Sequence, residues 1–143
     1  MRDRITALGN QLVQVHLALR DQLDRLREGL PVDDLRVYCV AFCDALTRHH
    51  TAEDRDVFPV LGAHHPELAP VLAELTRDHH IITEALARLV VPPDDPERLR
   101  SEVDTVAALL ETHFTYEERK IAALLDRLPA TPEEVARIVT FIP

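Results

Sequence analysis

Two segments of the chain carry the same chemically active residues at the same spacing. HHTAEDR, residues 49–55, and HFTYEER, residues 113–119, share histidine, threonine, glutamate and arginine at identical offsets. In each segment a histidine precedes a glutamate by four positions, so a helix places the imidazole and the carboxylate on one face. Imidazole nitrogen and carboxylate oxygen bind transition-metal ions, and they also act as acids and bases. A repeat about sixty residues apart has the size of a whole supersecondary unit.

Two further histidines extend this repeat to four segments. When His16 is aligned with His79, the apolar residues that follow each of them also coincide. The interval from His16 to His49 nearly equals the interval from His79 to His113. We interpret the chain as a duplicated helix pair that packs around a pseudo-twofold axis.

Turn-forming residues divide the chain into the helices that must position these histidines. Glycine or proline combines with polar residues at 29–34, 62–70, 91–97 and 128–134. Between these breaks, apolar residues recur at steps of three and four, which is typical of a helix with one buried face. The pattern predicts an all-α fold, an antiparallel up-down four-helix bundle with short loops. The predicted buried stripes are Leu12, Val15, Leu19, Leu23 and Leu26; Leu35, Tyr38, Phe42, Leu46 and Val57; Leu72, Leu75, Ile82, Leu86 and Leu89; and Val103, Val106, Leu110, Ile121, Leu124 and Leu128.

The chain length fits a single domain over residues 1–143, with the bundle at about 4–128 and a short C-terminal fifth helix at about 131–142. Thr131 is the expected N-cap of this fifth helix, and Glu134 completes a capping box. We expect its apolar stripe, Val135, Ile138, Val139 and Ile142, to close the core; a contact in a homodimer is the alternative. Pro59 should kink or end the second helix.

Ionisable side chains continue the buried stripes into the middle of the predicted bundle. Burying an unpaired carboxylate costs several kcal/mol, and two bound cations would offset that cost. Mixed nitrogen and oxygen ligands with open positions favour two iron ions, with manganese or zinc as lesser alternatives. Those positions leave room for an oxo or hydroxo bridge, water or a small diatomic molecule. The candidate ligands are His16, His49, Glu53, His79, His113 and Glu117, with the two glutamates bridging.

A second helical phase would change this ligand set. His50 and Asp54 are also four positions apart, and a rotation of the helix by about 100° would put them in place of His49 and Glu53. The repeat favours His49 and Glu53, so we interpret His50 and Asp54 as supporting neighbours or polar flank. The remaining histidines, His64, His65 and His80, are interpreted as solvated, and Tyr38 and Tyr116 as packing residues.

Composition excludes several classes of function. The net charge is −9, with arginines interleaved among acids, which argues against a nucleic-acid partner. The sequence contains no run of about 18 apolar residues that would predict a membrane span. The N-terminal residues do not resemble a signal peptide, so we expect a cytoplasmic protein. Cys39 and Cys43 lie four positions apart on one predicted helix, where disulfide geometry is poor, and we expect buried free thiols.

On these residues the chain resembles the hemerythrin-like (HHE cation-binding) family of di-iron bundles. The resemblance covers about residues 10–128 and rests on the four histidines, the two His-x-x-x-Glu motifs and the run EDRDVFP, residues 53–59. The oxygen carriers of that family have another histidine four positions from the first on the third helix. Here Leu75 and Thr83 occupy the positions at that distance from His79. The chain therefore resembles the non-carrier bacterial branch.

The resemblance implies a non-haem di-iron protein that binds or reacts with peroxide, dioxygen or nitric oxide. A catalase-like or other di-iron oxidoreductase activity is one form of this function, and no catalytic acid or base stands out in the sequence. The alternative is an iron-responsive regulatory or partner-binding module without turnover. A metal-free interaction protein is disfavoured by the predicted buried polar layer.

Overall fold

The structure, a computed structural model, describes residues 8–28, 31–90 and 95–138, except for the side chains of residues 32, 33 and 90. These residues form helices and short connections, and none of them lies in a β-strand. The all-α prediction is therefore confirmed. Within the described ranges, no helix combines the length and the apolar character that a membrane span requires.

Four long helical segments and one short helix make up the described chain. Two of the long segments contain a π-helical turn, a wider turn with one extra residue. These are called the first π turn, Glu53–Val57, and the second π turn, Glu118–Ala122. The first segment is α1 (Leu8–Leu26), and the second is α2 (Val32–Ala52), which continues through the first π turn into α3 (Phe58–His64). After a 3₁₀ turn at Pro66–Leu68, the third segment is α4 (Ala69–Val90). The fourth is α5 (Pro96–Glu117), which continues through the second π turn into α6 (Ala123–Asp126), and the short helix is α7 (Pro132–Ile138).

Each long segment contacts its neighbours in chain order. Helix α1 packs on α2, α2 on α4, and α4 on α5, while α5 and the second π turn pack back on α1. The contacts therefore close a ring around one interior. Helix α7 contacts the first π turn, at one end of this ring.

The second helical segment does not end at Pro59. Phe58 N–H donates to the carbonyl of Glu53, five residues earlier, and the chain stays helical to His64. Pro59 follows directly after this wider turn. A proline ring collides with the carbonyl four residues before it in a regular α-helix, and the wider turn relieves that collision.

The buried apolar residues form two clusters. One cluster contains Val15, Leu46, Ile82 and Leu110, and the other contains Leu12, Val57, Leu75 and Ile121. Along every long segment the chain passes from one cluster to the other at the position of a predicted metal ligand. A polar layer therefore lies between two apolar cores, which shield it from water on both sides.

One of the predicted stripe positions is wrong, and two are only partly buried. Tyr38 is 50% exposed, and its neighbour Cys39 is the buried residue at that point of α2. After the second π turn, Leu125 is buried and Leu124 only partly so. Leu128, the last predicted stripe residue of this segment, is buried. Leu72 is partly buried as well.

The C-terminal helix forms as the sequence predicts. Glu134 N–H donates to Thr131 Oγ1 at 3.1 Å, and Thr131 N–H donates to Glu134 Oε1 at 2.9 Å, which completes the capping box. Ile138 is fully buried in the second apolar cluster, so this helix closes part of the core. The predicted stripe residues Val139 and Ile142 lie outside the described residues.

Candidate metal centre

Seven ionisable side chains are buried in the polar layer. They come from α1, α2, α4 and α5 and from the start of the first π turn. All six predicted ligands belong to this set, and His50, which is 4% exposed, is the seventh. The set is His16, His49, His50, Glu53, His79, His113 and Glu117.

Their ligand atoms form two groups that share one residue. In each group, one nitrogen or oxygen atom from every member lies within 4.8 Å of the corresponding atoms of the others. Among the described residues, Glu53 is the member common to both groups. A carboxylate has two oxygen atoms and can bridge two ions, so the arrangement suits a dinuclear centre. The groups are His16, His49, Glu53 and Glu117, and His50, Glu53, His79 and His113.

The distances within the groups fit atoms that face a common ion. His79 Nε2 lies 3.2 Å from His113 Nε2 and 3.4 Å from Glu53 Oε1. Glu53 Oε1 also lies 3.4 Å from His49 Nε2. Two ligand atoms bound at about 2.1 Å and at right angles to one another are about 3 Å apart. The side chains are thus spaced as adjacent ligands are.

Three carboxylates orient the imidazoles from outside the layer. Asp54 Oδ1 accepts a hydrogen bond from His79 Nδ1 at 2.8 Å, and Asp78 Oδ2 accepts one from His113 Nδ1 at 3.2 Å. Glu118 Oε2 accepts one from His16 Nδ1 at 2.6 Å. For His79 and His113 the bond keeps the proton on Nδ1 and leaves the lone pair of Nε2 facing inward, as metal-ligating histidines require. Nε2 of His16 faces Glu117 Oε1 at 2.9 Å.

This assignment of protons exposes a repulsion. With Nδ1 protonated on both His79 and His113, the two Nε2 lone pairs face one another at 3.2 Å. Lone pairs at that distance repel unless a positive charge lies between them. A metal cation bound between them would accept both lone pairs.

Burial keeps most of these imidazoles neutral. It lowers the pKa of His49 to about 3 and the pKa of His50 well below its ordinary value. Burial also lowers the pKa of His113. His16 differs, because its contacts with Glu117 and Glu118 outweigh the effect of burial and raise its pKa. A neutral imidazole offers a free lone pair, which is the form that binds metal.

The two glutamates are fully buried next to one another. Burial, with the adjacent charge of Glu117, raises the pKa of Glu53 well above its usual value. Neither carboxylate oxygen of Glu53 accepts a hydrogen bond from a described group, and Nε2 of His50 is also without a partner. Glu117 Oε1 lies 2.9 Å from Nε2 of His16. Buried polar atoms are normally satisfied, so these atoms fit a site that is completed by a cation.

Sequence reasoning missed part of this arrangement. Helical phase alone makes His49 and His50 alternatives, so the sequence predicts only a supporting or flanking role for His50. Both residues are buried, and each belongs to a different ligand group, His49 to one and His50 to the other. Asp54 supports His79 rather than its expected partner His50. Asp54 and Glu118 each follow a repeated glutamate, and this shared position is a signal that the sequence already contained.

The other polar residues lie outside the layer. His80 is exposed, while His64 and His65 are partly buried and contact Glu134 and Glu67 at 3.2 Å. Tyr116 is partly buried, and its hydroxyl donates to Glu74 Oε2 at 2.8 Å. Cys39 and Cys43 are buried and free, and neither belongs to a ligand group.

Comparison with known proteins agrees with this geometry. The family model of the hemerythrin HHE cation binding domain matches residues 8–137, which include every residue of the polar layer. The comparisons with curated proteins and with solved structures gave no match. Since the matched range spans most of the chain, the protein belongs to the hemerythrin family of HHE cation-binding domains.

Proposed function

We propose that this protein binds two iron ions in the polar layer and uses them to bind or react with peroxide, dioxygen or nitric oxide. The observation that carries the proposal is the pair of buried ligand groups joined at Glu53. The proposed ligands are the six residues that the repeat singles out, with Glu53 bridging. They are His16, His49, Glu53, His79, His113 and Glu117.

The donor set supports iron over the other metals considered. Both groups combine imidazole nitrogen with carboxylate oxygen and contain no thiolate, whereas structural zinc sites are closed and often use cysteine. The proposed ligands supply at most four residues to each group, which would leave positions for a small exogenous ligand on an ion that prefers six. Bound iron would supply Lewis acidity and a change of redox state.

The side chains of the protein prepare the site for that chemistry. Asp54, Asp78 and Glu118 hold protons at Nδ1 of three imidazoles and so fix the rings in place. The two apolar clusters keep water from the layer, which strengthens every electrostatic interaction within it.

A groove between α4 and α5 leads to one edge of this layer. Its volume is about 320 Å³, and it is lined by Asp78, Ile81, Ile82, Thr112 and His113, among others. Mostly apolar walls suit a small diatomic molecule or peroxide better than a large charged substrate. We take this groove as the route by which a small ligand approaches His113.

The proposal includes the arrangement of the helices. We infer a single domain in which the four long segments run up and down as an antiparallel bundle. The closed ring of contacts between consecutive segments supports this topology, because short connections join antiparallel neighbours.

Metal analysis of the purified protein tests the proposal directly. We expect about two irons per chain in the wild-type protein, since metal binding would compensate the buried carboxylates. Glu53→Gln removes a charge that both groups share, so it should remove most of the iron. Glu84→Gln, which changes an exposed carboxylate on α4, is the matched control and should keep the iron. Wild-type protein that binds no iron when iron is supplied would refute the proposal.

Reactivity is tested by adding peroxide to the iron-loaded protein in an oxygen electrode. Catalase-like turnover converts two molecules of peroxide into one of dioxygen and two of water. Oxygen release by wild-type protein, and its loss in Glu53→Gln, would establish an enzyme. Binding of nitric oxide or dioxygen without turnover would instead indicate a carrier or sensor.

One observation favours the regulatory alternative. Helix α7 packs on the first π turn, which begins with Glu53, so a change at that carboxylate can reach a surface helix. Hydrogen exchange of α7 with and without iron checks this function. Stronger protection with iron would support it, whereas identical exchange would count against it.

A further inference from the structure

His50 and Phe114 occupy equivalent positions in the two halves of the repeat. Each follows the histidine of a His-x-x-x-Glu motif, and each stacks on the histidine of a facing helix. The rings of His50 and His79 have centroids 3.8 Å apart and planes 11° apart. The rings of Phe114 and His16 are 4.0 Å and 17° apart. The scaffold therefore places an aromatic ring at this position in both halves.

Stacking alone does not explain a histidine at position 50. Nε2 of His50 is buried, and no described group hydrogen-bonds to it. A buried polar atom without a hydrogen bond destabilises the fold, and a phenylalanine such as Phe114 stacks without that cost. A ring nitrogen at this point needs a further interaction to compensate for its burial.

Neighbouring atoms show what that interaction is. One ring nitrogen of His50 lies within 4.8 Å of ligand atoms of Glu53, His79 and His113. The ring centroids of His50 and His113 are 5.2 Å apart, with planes at 78°. Helix α4 offers no second imidazole to this group, because Leu75 is buried in the apolar cluster and Thr83 is exposed. His50 on α2 occupies that side of His79 instead.

We propose that His50 is a seventh protein ligand, so that the two metal positions are chemically different. This inference rests on the proposed binding of two ions. One position then has three imidazoles, His50, His79 and His113, and the shared carboxylate of Glu53. The other has two imidazoles, His16 and His49, and the carboxylates of both glutamates. The position with fewer carboxylates has the less negative ligand set, so the two ions differ in affinity and in spectroscopic environment.

The test replaces His50 with the residue that the other half already contains. His50→Phe keeps an aromatic ring for stacking on His79 and removes both ring nitrogens. His80→Phe makes the same chemical change at an exposed position next to His79, and it serves as the control. Thermal unfolding of both variants without metal shows that they are folded. Because an unsatisfied nitrogen has been removed, metal-free His50→Phe should unfold at or above the wild-type temperature.

Each protein is then titrated with ferrous iron under anaerobic conditions, and its Mössbauer spectrum is recorded. We expect wild type and His80→Phe to bind two ions with two distinct iron signals. His50→Phe should retain one ion and bind the other at least about tenfold more weakly, with one of the two signals lost. Two ions bound by His50→Phe with wild-type affinity would overturn this inference and leave the proposed function standing. A wild-type protein that binds no iron would overturn both.

Discussion

The two halves of the repeat use the same plan to hold their histidines. In one half Asp54, next to Glu53, holds His79; in the other Glu118, next to Glu117, holds His16. An aromatic ring from the preceding turn stacks on each of these histidines. The carboxylate that follows each glutamate is therefore a fixed part of the scaffold, and it serves the facing helix rather than its own.

The halves differ in how that carboxylate is supported. Glu118 Oε2 also accepts a hydrogen bond from Arg20 Nη1 at 3.0 Å, and Arg20 lies over the ring of Phe114 at 5.2 Å. Apart from His79, Asp54 has one described side-chain partner, the hydroxyl of Thr76 at 3.5 Å. Glu118 is thus held by a charged hydrogen bond from Arg20, whereas Asp54 has only a weak hydrogen bond from a hydroxyl beside its bond to His79. We expect Asp54 to be held less firmly than Glu118.

The two π turns differ in what covers them. The first π turn is covered by α7, a short helix near the C-terminus. The second packs on α1, where Gly9 allows the backbone of Ala122 to approach closely. A Cβ atom on Gly9 would lie 1.9 Å from the carbonyl oxygen of Ala122. The packing of the second π turn therefore requires a residue without a side chain at Gly9, whereas the first π turn is packed against a separate helix.

The largest effect is expected from Gly9→Ala. The new methyl group would collide with backbone atoms, which cannot move aside as a side chain does, so α1 must shift away from the second π turn. Overpacking typically costs about 1–3 kcal/mol, and we expect the upper end of that range here because the collision is with backbone atoms. Urea unfolding of the metal-free protein measures the loss.

Gly62→Ala is the matched control for this substitution. A Cβ atom there would meet only Leu72 Cδ1, at 3.3 Å, which is a flexible neighbour. Because alanine favours the helix over glycine, Gly62→Ala should be neutral or raise the free energy of unfolding by up to about 1 kcal/mol. Equal effects of the two substitutions would show that the close approach at Gly9 is not important for stability.

Next in size is the loss of the carboxylates behind the histidines. Glu118→Ala and Asp54→Ala should each weaken iron binding by about 10–100-fold, because the imidazole loses the group that orients it and fixes its proton. Competition with a chelator measures the affinity. We expect the larger loss for Glu118→Ala, since its bond to His16 is shorter and its carboxylate is less exposed.

Glu111→Ala separates the two roles of the charged network. Glu111 binds Arg20 Nε at 3.1 Å but makes no contact with an imidazole among the interactions described for it. Its loss should leave the iron affinity within a few-fold of wild type, because exposed ion pairs contribute about 0–1 kcal/mol. A larger loss in Asp54→Ala than in Glu118→Ala would reverse the ranking of the two halves.

Periodicity and the internal repeat were enough to predict the helices and the polar layer. Steps of three and four place His16, His79 and both motif histidines on buried faces, and burial of Glu53 and Glu117 follows from the same spacing. Such a pattern reports which face of a helix is inside, and it does so wherever the helix is regular.

The remaining features depend on contacts that no local pattern encodes. The π turns have no composition signal of their own beyond Pro59, which follows the first of them. His49 and His50 are both buried because α2 lies between the two ligand groups and contributes one histidine to each. Asp78 supports His113 from a neighbouring helix, a pairing that only the packing of α4 on α5 reveals.

The smallest effect is expected where the first π turn is covered. Thr131→Ala removes the hydroxyl that accepts from Glu134 N–H, and loss of such a cap costs about 1 kcal/mol. Bonds to Thr131 and His64 lower the pKa of Glu134, so this carboxylate stabilises α7 above its ordinary pKa and ceases to do so as pH falls through the lowered value. Urea unfolding at neutral pH should show the loss of stability, and Thr131→Ser should restore it.

Iron content should stay at the wild-type level in both variants, because α7 touches the turn but supplies no residue to either ligand group. Loss of iron in Thr131→Ala would contradict this expectation and would show that the metal site requires α7 packed on the first π turn.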